Sequence, residues 1–367
     1  MANPIDLATL FREQIGGRRN IIHNGAFIVD QRATPVTFTN GGSTKTVDRW
    51  RASSGSLDEA TVVMQQSTTV PSGAGFGNSL QFNVTGTESA LDTGENFWFG
   101  HFIEGQNLQQ LAYGTSSAKK ITLSFWVRSH VAGDFGVLFY RSGATRSYTA
   151  SYTVNATNTW EYKTITIDGD TDTDPSSAIP NDNSAGMGLY FSLAMGSNYY
   201  GAGAAAWSGH NSNQFTISTQ TNILSATGSF YITGVQLEVG DTATPFEHRS
   251  YAEELELCKR YYQRWDADAI NYRFAPAHVK GTAAAEALFQ LRPEMRAGPT
   301  SLETTGTASD YKVYSNGIDT CTGVALNANS NKYTGIVEAT ASGLATGDAG
   351  QLISANSNAY VAFSAEL

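Results

Sequence analysis

The segments Ile121-Thr122-Leu123-Ser124-Phe125-Trp126-Val127 and Lys163-Thr164-Ile165-Thr166-Ile167 alternate apolar and hydroxyl side chains with a period of two. That period suits an extended strand, whose successive side chains point to opposite faces, so each segment is expected to cover a core on one side. Comparable runs, about four to ten residues long and rich in Val, Ile, Thr and aromatics, occur at Ala60 to Gln66, Ser79 to Val84, Phe135 to Tyr140, Tyr148 to Val154, Gly188 to Ala194 and Ser229 to Glu238. Turn residues separate them, and the helical patterns that a parallel α/β fold needs between its strands are missing. The expected fold is all-β, with residues 20–248 forming an antiparallel jelly-roll β-sandwich whose two inner faces share one core. The 36 Gly supply the many turns this requires, and the 17 Tyr and 18 Phe supply the packing volume.

Two stretches break the period of two. In residues 1–19, Ile5, Leu7, Leu10, Phe11 and Ile15 fall at roughly helical spacing before Gly16-Gly17, which predicts a short N-terminal helix. It reads either as a cap on its own domain or as an anchor that docks on a neighbouring subunit. In residues 249–265, Leu255, Cys258, Tyr262 and Trp265 recur at steps of three and four, with Glu253, Glu254 and Glu256 early and Lys259, Arg260 and Arg264 late. Helix dipoles prefer that charge order, so one connecting α-helix is predicted over Tyr251 to Trp265, with that apolar side buried. Residues 266–367 carry further short strand candidates, Ala287 to Arg292, Lys312 to Tyr314 and Ala359 to Ala365, and are expected to form a smaller C-terminal β domain.

The formal net charge of -10 gives no electrostatic footprint for a phosphate backbone, so nucleic acid is not an expected partner. Cys258 and Cys321 are too few for a disulfide framework and wrongly spaced for zinc. The chain opens without a signal-peptide pattern, and no apolar run approaches the roughly 20 residues of a spanning helix, so synthesis in the cytoplasm without membrane insertion is the expectation.

Catalytic motifs are absent as well. There is no Gly-x-Ser-x-Gly elbow, and Gly41-Gly42-Ser43-Thr44-Lys45 has its lysine after the hydroxyls, so it is assigned to a hairpin turn opened by Asn40-Gly41. Glu88, Asp92, Glu95 and Glu104 surround Phe97-Trp98-Phe99 and are the best neighbourhood for paired glycosidase carboxylates, although nothing sets their separation. Asp168, Asp170, Asp172 and Asp174 alternate in one loop. They could turn several oxygens toward one Ca²⁺, or form a solvated acidic turn after the strand that ends at Ile167. No other cofactor is implied. Tyr199, Tyr200, Trp207, His210 and Asn211 lie in a Gly/Ala/Ser-rich loop; flat rings beside amides suit sugar binding, while the alternative is that the rings pack the loop down or against a neighbouring subunit.

Two segments resemble a known class. Asn24-Gly25-Ala26-Phe27, Gln31-Arg32 and Thr46-Val47-Asp48-Arg49-Trp50 look like the opening of the carbohydrate-binding-module-like jelly roll of bacteriophage tail-fibre and minor tail proteins. Gly234-Val235-Gln236-Leu237-Glu238-Val239-Gly240, Ala243-Thr244-Pro245-Phe246-Glu247 and Glu253-Glu254-Leu255-Glu256-Leu257-Cys258-Lys259-Arg260-Tyr261-Tyr262 resemble its last strand and following helix. The resemblance implies a virion structural protein, frequently a homotrimer, that displays a sandwich toward host surface polysaccharide. It supplies framework rather than binding residues: the Trp50 indole is expected to be buried at a strand start. The function so implied is non-catalytic host attachment, with the N-terminal segment held by another virion protein of the tail, baseplate or capsid. The alternatives are a capsid decoration or head-fibre protein and, from a different class, a polysaccharide-degrading enzyme.

Overall fold

The structure, a computed structural model, describes residues 18–141, 146–174, 178–201 and 205–367. The anchor candidates Ile5, Leu7, Leu10, Phe11 and Ile15 lie outside the described residues. The chain is an all-β jelly-roll sandwich joined to a small closed barrel. One sheet has six strands in the order β1 (Val36–Phe38), β4 (Thr61–Ser67), β5 (Ser79–Gly86), β13 (Gly228–Val239), β7 (Ile121–Arg128) and β10 (Glu161–Ile167). The other has seven, β12 (Ser208–Gly209), β9 (Arg146–Val154), β8 (Gly133–Arg141), β11 (Ala185–Met195), β6 (Asn96–Glu104), β3 (Trp50–Gly55) and β2 (Gly42–Lys45).

Alternation explains the core between the sheets. On β10, Ile165 and Ile167 are buried while Thr164 and Thr166 are exposed. β7 is buried along most of its length: it is paired on both edges, by β13 and β10, and on its outer face the Thr122 hydroxyl bonds Thr166 Oγ1 and the Gly240 carbonyl, each at 2.9 Å. The hydroxyl face read from the sequence is therefore a hydrogen-bonded seam. Trp50, Phe82, Phe99, Phe125, Phe135, Phe191 and Phe230 fill the middle, and the Phe99 and Phe191 rings stack at 4.8 Å with an interplanar angle of 5°.

Residues 20–50 and the end of β13 meet at one corner of the sandwich. Asn20 Oδ1 accepts from the Leu237 amide at 3.1 Å, Asn24 Nδ2 donates to the Asp48 carbonyl at 3.0 Å, and the Trp50 indole donates to the Asn24 carbonyl at 3.0 Å. Gly25 is required there, since a Cβ on it would sit 2.0 Å from the Val235 carbonyl oxygen. These polar groups are buried, and their mutual bonding is what makes that burial tolerable.

Two expectations are corrected. Gly42 to Lys45 is not turn but the edge strand β2, paired with β3. The helix α1 covers Tyr251–Lys259 only, opened by a capping box of Ser250 and Glu253; Tyr262–Asp266 is instead β14, in a three-stranded sheet with β22 (Tyr360–Ser364) and β17 (Ser301–Glu303). Tyr262 and Trp265, three apart, fit a helical face and fall on opposite faces of a strand, but pairing with β22 decides for the strand against that local pattern. Cys258 and Tyr262 are buried, but Leu255 and Trp265 are only half-buried. The barrel closes in the order β15 (Arg273–Gly281), β16 (Ala284–Gln290), β20 (Thr334–Ala341), β19 (Ile318–Leu326), β18 (Tyr311–Tyr314) and β21 (Ala349–Ser354).

Buried ions join the two units. Arg49, whose side chain is 1% exposed, pairs with Glu366, 2% exposed, and its guanidinium carbon lies 3.3 Å from the centre of the Tyr261 ring. Glu104 accepts from Arg260 at 2.8 and 2.9 Å and from the Tyr261 hydroxyl at 2.6 Å.

Candidate functional site

Because strand side chains alternate, the seven-stranded sheet that sends Trp50, Phe97, Phe99, Leu189 and Phe191 into the core must send their neighbours outward. Those neighbours are Arg51 on β3, Trp98 and Phe102 on β6, Tyr190 on β11 and Tyr140 on β8. The register puts Gly100 between Arg51 and Tyr190, and Gly188 between Phe102 and Tyr140. Gly188 leaves the space into which Tyr190 folds, since a Cβ there would meet the Tyr190 ring at 2.6 Å. Tyr190 centres the group, with ring centroids 4.8 Å from Trp98, 5.3 Å from Phe102, 6.5 Å from Tyr140 and 5.5 Å from Phe215 of the following loop. Tyr190 is itself buried, whereas Trp98, Phe102 and Tyr140 are half-buried and keep part of their surface in water. The result is a rigid aromatic face, held edge-to-face by its own rings, on the outside of the larger sheet.

The loop residues singled out in the sequence are dispersed around this face. Tyr199 is tied down, its hydroxyl donating to the Gly94 carbonyl at 3.1 Å and accepting from Asn96 Nδ2 at 2.9 Å, and its ring reaches Phe215 at 6.4 Å. Tyr200 is half-buried and bridges to Thr216. His210 lies 4.6 Å from the Tyr140 ring, 3.2 Å from Ser147 Oγ through Nδ1, and burial lowers its pKa. Asn211 Oδ1 accepts from the Asn213 amide at 3.0 Å and caps a short 3₁₀ turn. Trp207 is elsewhere: its indole donates to the Asp168 carbonyl at 2.7 Å and its ring packs on Tyr113 and Tyr148. His210 and Tyr199 thus border the aromatic face, and Trp207 does not. Sequence reasoning missed Arg51, Phe102, Tyr140 and Tyr190 as a group. The available signal was Phe97-Trp98-Phe99, in which one ring must face away from the other two.

The acidic residues sort into separate places. Asp170 is 1% exposed, against the expectation of a solvated loop, and its carboxylate takes Arg141 and both Nε and Nη2 of Arg146. Asp172 pairs with Arg146 at 2.7 Å, and Asp168 with Lys120 at 2.8 Å. The loop therefore directs these three carboxylates at side-chain cations rather than at one shared point. The Asp174 amide donates to the Asp172 carboxylate at 3.0 Å. Of the four acids near Phe97 to Phe99, Glu104 is used in the ion pair with Arg260, Asp92 is exposed, and Glu88 and Glu95 come together with Asp58. The oxygens of that trio lie within 4.8 Å of one another, the spacing a hard cation would need among the described residues.

Burial first, and then the hydrogen bond and charge of Glu95, push Glu88 up to about 7. A carboxyl whose pKa is raised on folding contributes its stability below the unfolded value and loses it as pH rises through the folded one. Glu88→Gln should therefore unfold at higher urea than the wild type at pH 8 but not at pH 5. The gain should be about 1 kcal/mol, less than the shift alone implies because the raised value is shared with Glu95, its hydrogen-bonded partner. Equal midpoints at both pH values would show that Glu88 is ionised throughout.

The fold and the face define a β-sandwich with an aromatic outer surface. No protein-family model matches the chain. No curated protein matches it in sequence. Solved structures are similar only distantly. The enzymatically active domain of bacteriophage CBA120 tailspike protein 4 is 13% identical with a TM-score of 0.32, over 60% of this chain and 21% of that one. An arabinose-bound α-L-arabinofuranosidase, MgGH51, is 14% identical with a TM-score of 0.33, over 67% and 30%. The family 11 carbohydrate-binding module of Clostridium thermocellum, in complex with a mixed-linked tetrasaccharide, is 14% identical with a TM-score of 0.27, over 57% and 98%. The chain thus spans less than a third of the first two, and both catalytic and non-catalytic proteins stand among its neighbours.

Proposed function

We propose that this chain is a non-catalytic structural subunit of a phage virion, a tail-fibre or related receptor-binding appendage that recognises host surface glycans. The observation that carries the reading is the aromatic face of Trp98, Phe102, Tyr140 and Tyr190. Sugar rings present apolar C–H faces rimmed by hydroxyls, and half-exposed rings on a rigid sheet can stack on them without being ordered at the moment of binding. The acidic side chains support a non-catalytic role: Glu104 and Asp170 are consumed by arginines. In this reading the subunit is a homotrimer whose N-terminal segment engages another virion protein, and several modest sites act together on one surface. Trp98→Ala should weaken binding to host polysaccharide by about 2 kcal/mol, roughly 30-fold, with the melting temperature little changed. Glycan-array binding of the purified protein tests it. A wild type that binds no bacterial polysaccharide, or new reducing ends appearing during incubation, would overturn it.

A further inference from the structure

Lys45 and Arg51 stand directly opposite each other across the β2–β3 ladder. Directly opposed residues of an antiparallel pair share a face with their Cβ atoms about 5 Å apart, an arrangement that is unfavourable for like charges. Among the described residues neither side chain makes a hydrogen bond or a salt bridge, and Arg51 Nε is shut off from water without a partner. The Arg51 guanidinium carbon instead lies 4.5 Å from the centre of the Phe102 ring and 5.2 Å from that of Trp98. The acidic group that acts on both cations is Glu366, but its carboxylate is already held by Arg49 and lies 4.0 Å from Arg32. Arg32 in turn is shared with Glu303 at 3.1 Å. Two cations of an acidic chain are thus left together, partly desolvated, at the border of the aromatic face.

We infer that Lys45 and Arg51 form an anion subsite that takes the carboxylate of an acidic sugar, a uronic or sialic residue, while Trp98 and Phe102 stack on the adjoining rings. This rests on the glycan reading above and narrows it to acidic polysaccharide. A planar guanidinium fixed by two rings is suited to a carboxylate, and a bound anion relieves the repulsion between the pair. Burial lowers Lys45 to about 8, against the pull of Glu366 and with the help of Arg32, Arg49 and Arg51. Its charge is therefore present at pH 7 and lost by pH 9, and the affinity for an anion should fall over that range.

The test is an array of alginate, polygalacturonate, hyaluronan and polysialic acid, each beside its carboxyl-reduced product, with dextran and dextran sulfate, probed with the full chain. Wild type should prefer an acidic polymer over its reduced product by roughly 10-fold or more. Arg51→Gln and Lys45→Gln should each erase that preference, and Lys45→Gln should also remove the fall between pH 7 and 9. Both variants should melt at or above the wild-type temperature, which shows that they fold. If wild type binds polymers and their reduced products equally, the subsite is wrong and the glycan reading stands. If dextran sulfate binds more tightly than every carboxylated polymer, the carboxylate assignment is wrong. If nothing on the array is bound, both readings fall.

Discussion

Glu366→Ala should lower the free energy of unfolding by about 3 to 5 kcal/mol, because it leaves a buried guanidinium without its counter-charge. Arg49 has no route to water: its side chain is 1% exposed, it lies against Tyr261, and its Nη2 donates to the Phe102 carbonyl at 2.6 Å. Urea unfolding followed by tryptophan fluorescence measures the loss. Arg49→Met combined with Glu366→Leu should recover most of it, since exchanging a whole buried pair for apolar groups is often neutral. A single-variant loss under about 1 kcal/mol would mean that water reaches Arg49. Burial alone would raise the Glu366 pKa, but Arg49, Lys45 and Arg32 together hold it below the usual carboxylate range. A lowered folded value gives stability that is present above the unfolded pKa and is lost as pH falls through the folded one. The wild type should therefore lose this contribution in acid below the carboxylate range, and the double variant should not.

Trp50→Ala should cost about 3 to 5 kcal/mol through the cavity it opens. The indole is fully buried, with ring centroids 4.9 Å from Phe27, 5.2 Å from His101 and 6.0 Å from Phe99. Its Nε1 also satisfies the carbonyl of Asn24, a residue held at a positive φ of 56°. Trp50→Phe keeps most of the volume and loses that bond, so it should cost about 1 kcal/mol from the hydrogen bond and somewhat more from packing. Calorimetric melting of both variants separates the two contributions. Equal losses would assign the whole effect to the hydrogen bond.

Much of the sandwich was legible because its strands alternate cleanly. The runs around Val62, Phe82, Leu123, Val137, Tyr152, Ile165, Leu189 and Ile232 are all strands in the structure. Alternation is silent where a strand has apolar residues on both faces, so Tyr262 to Trp265, spaced by three, reads as the end of a helix until its pairing with Tyr360 to Ser364 is known. It is silent, too, where strands are short, so Gly42 to Lys45 reads as a turn. The aromatic face was hidden for a related reason. A period of two says that Trp98 opposes Phe97 and Phe99, but only the packing of the second sheet says which side is core. The pairing of Lys45 with Arg51 depends on register between strands, and the ion pairs of Asp170 with Arg141 and Arg146 depend on a loop returning to β8 and β9. Neither relation leaves a local trace in the order of residues.

Three of the four edges of the sandwich are very short: β1 has 3 residues, β2 has 4 and β12 has 2. The fourth edge, β10, has 7, with Glu161 and Lys163 paired at 2.6 Å and Tyr162 45% exposed. Short edges give an incoming strand too few backbone groups to pair with, and charges along a longer one discourage it. Among the described residues, growth by extending one sheet into the next molecule, the route to open-ended filaments, is thus disfavoured at these four terminal strands. Contacts between copies are thereby favoured through side chains and loops, where surface residues set the geometry of an assembly while the sandwich beneath them stays the same.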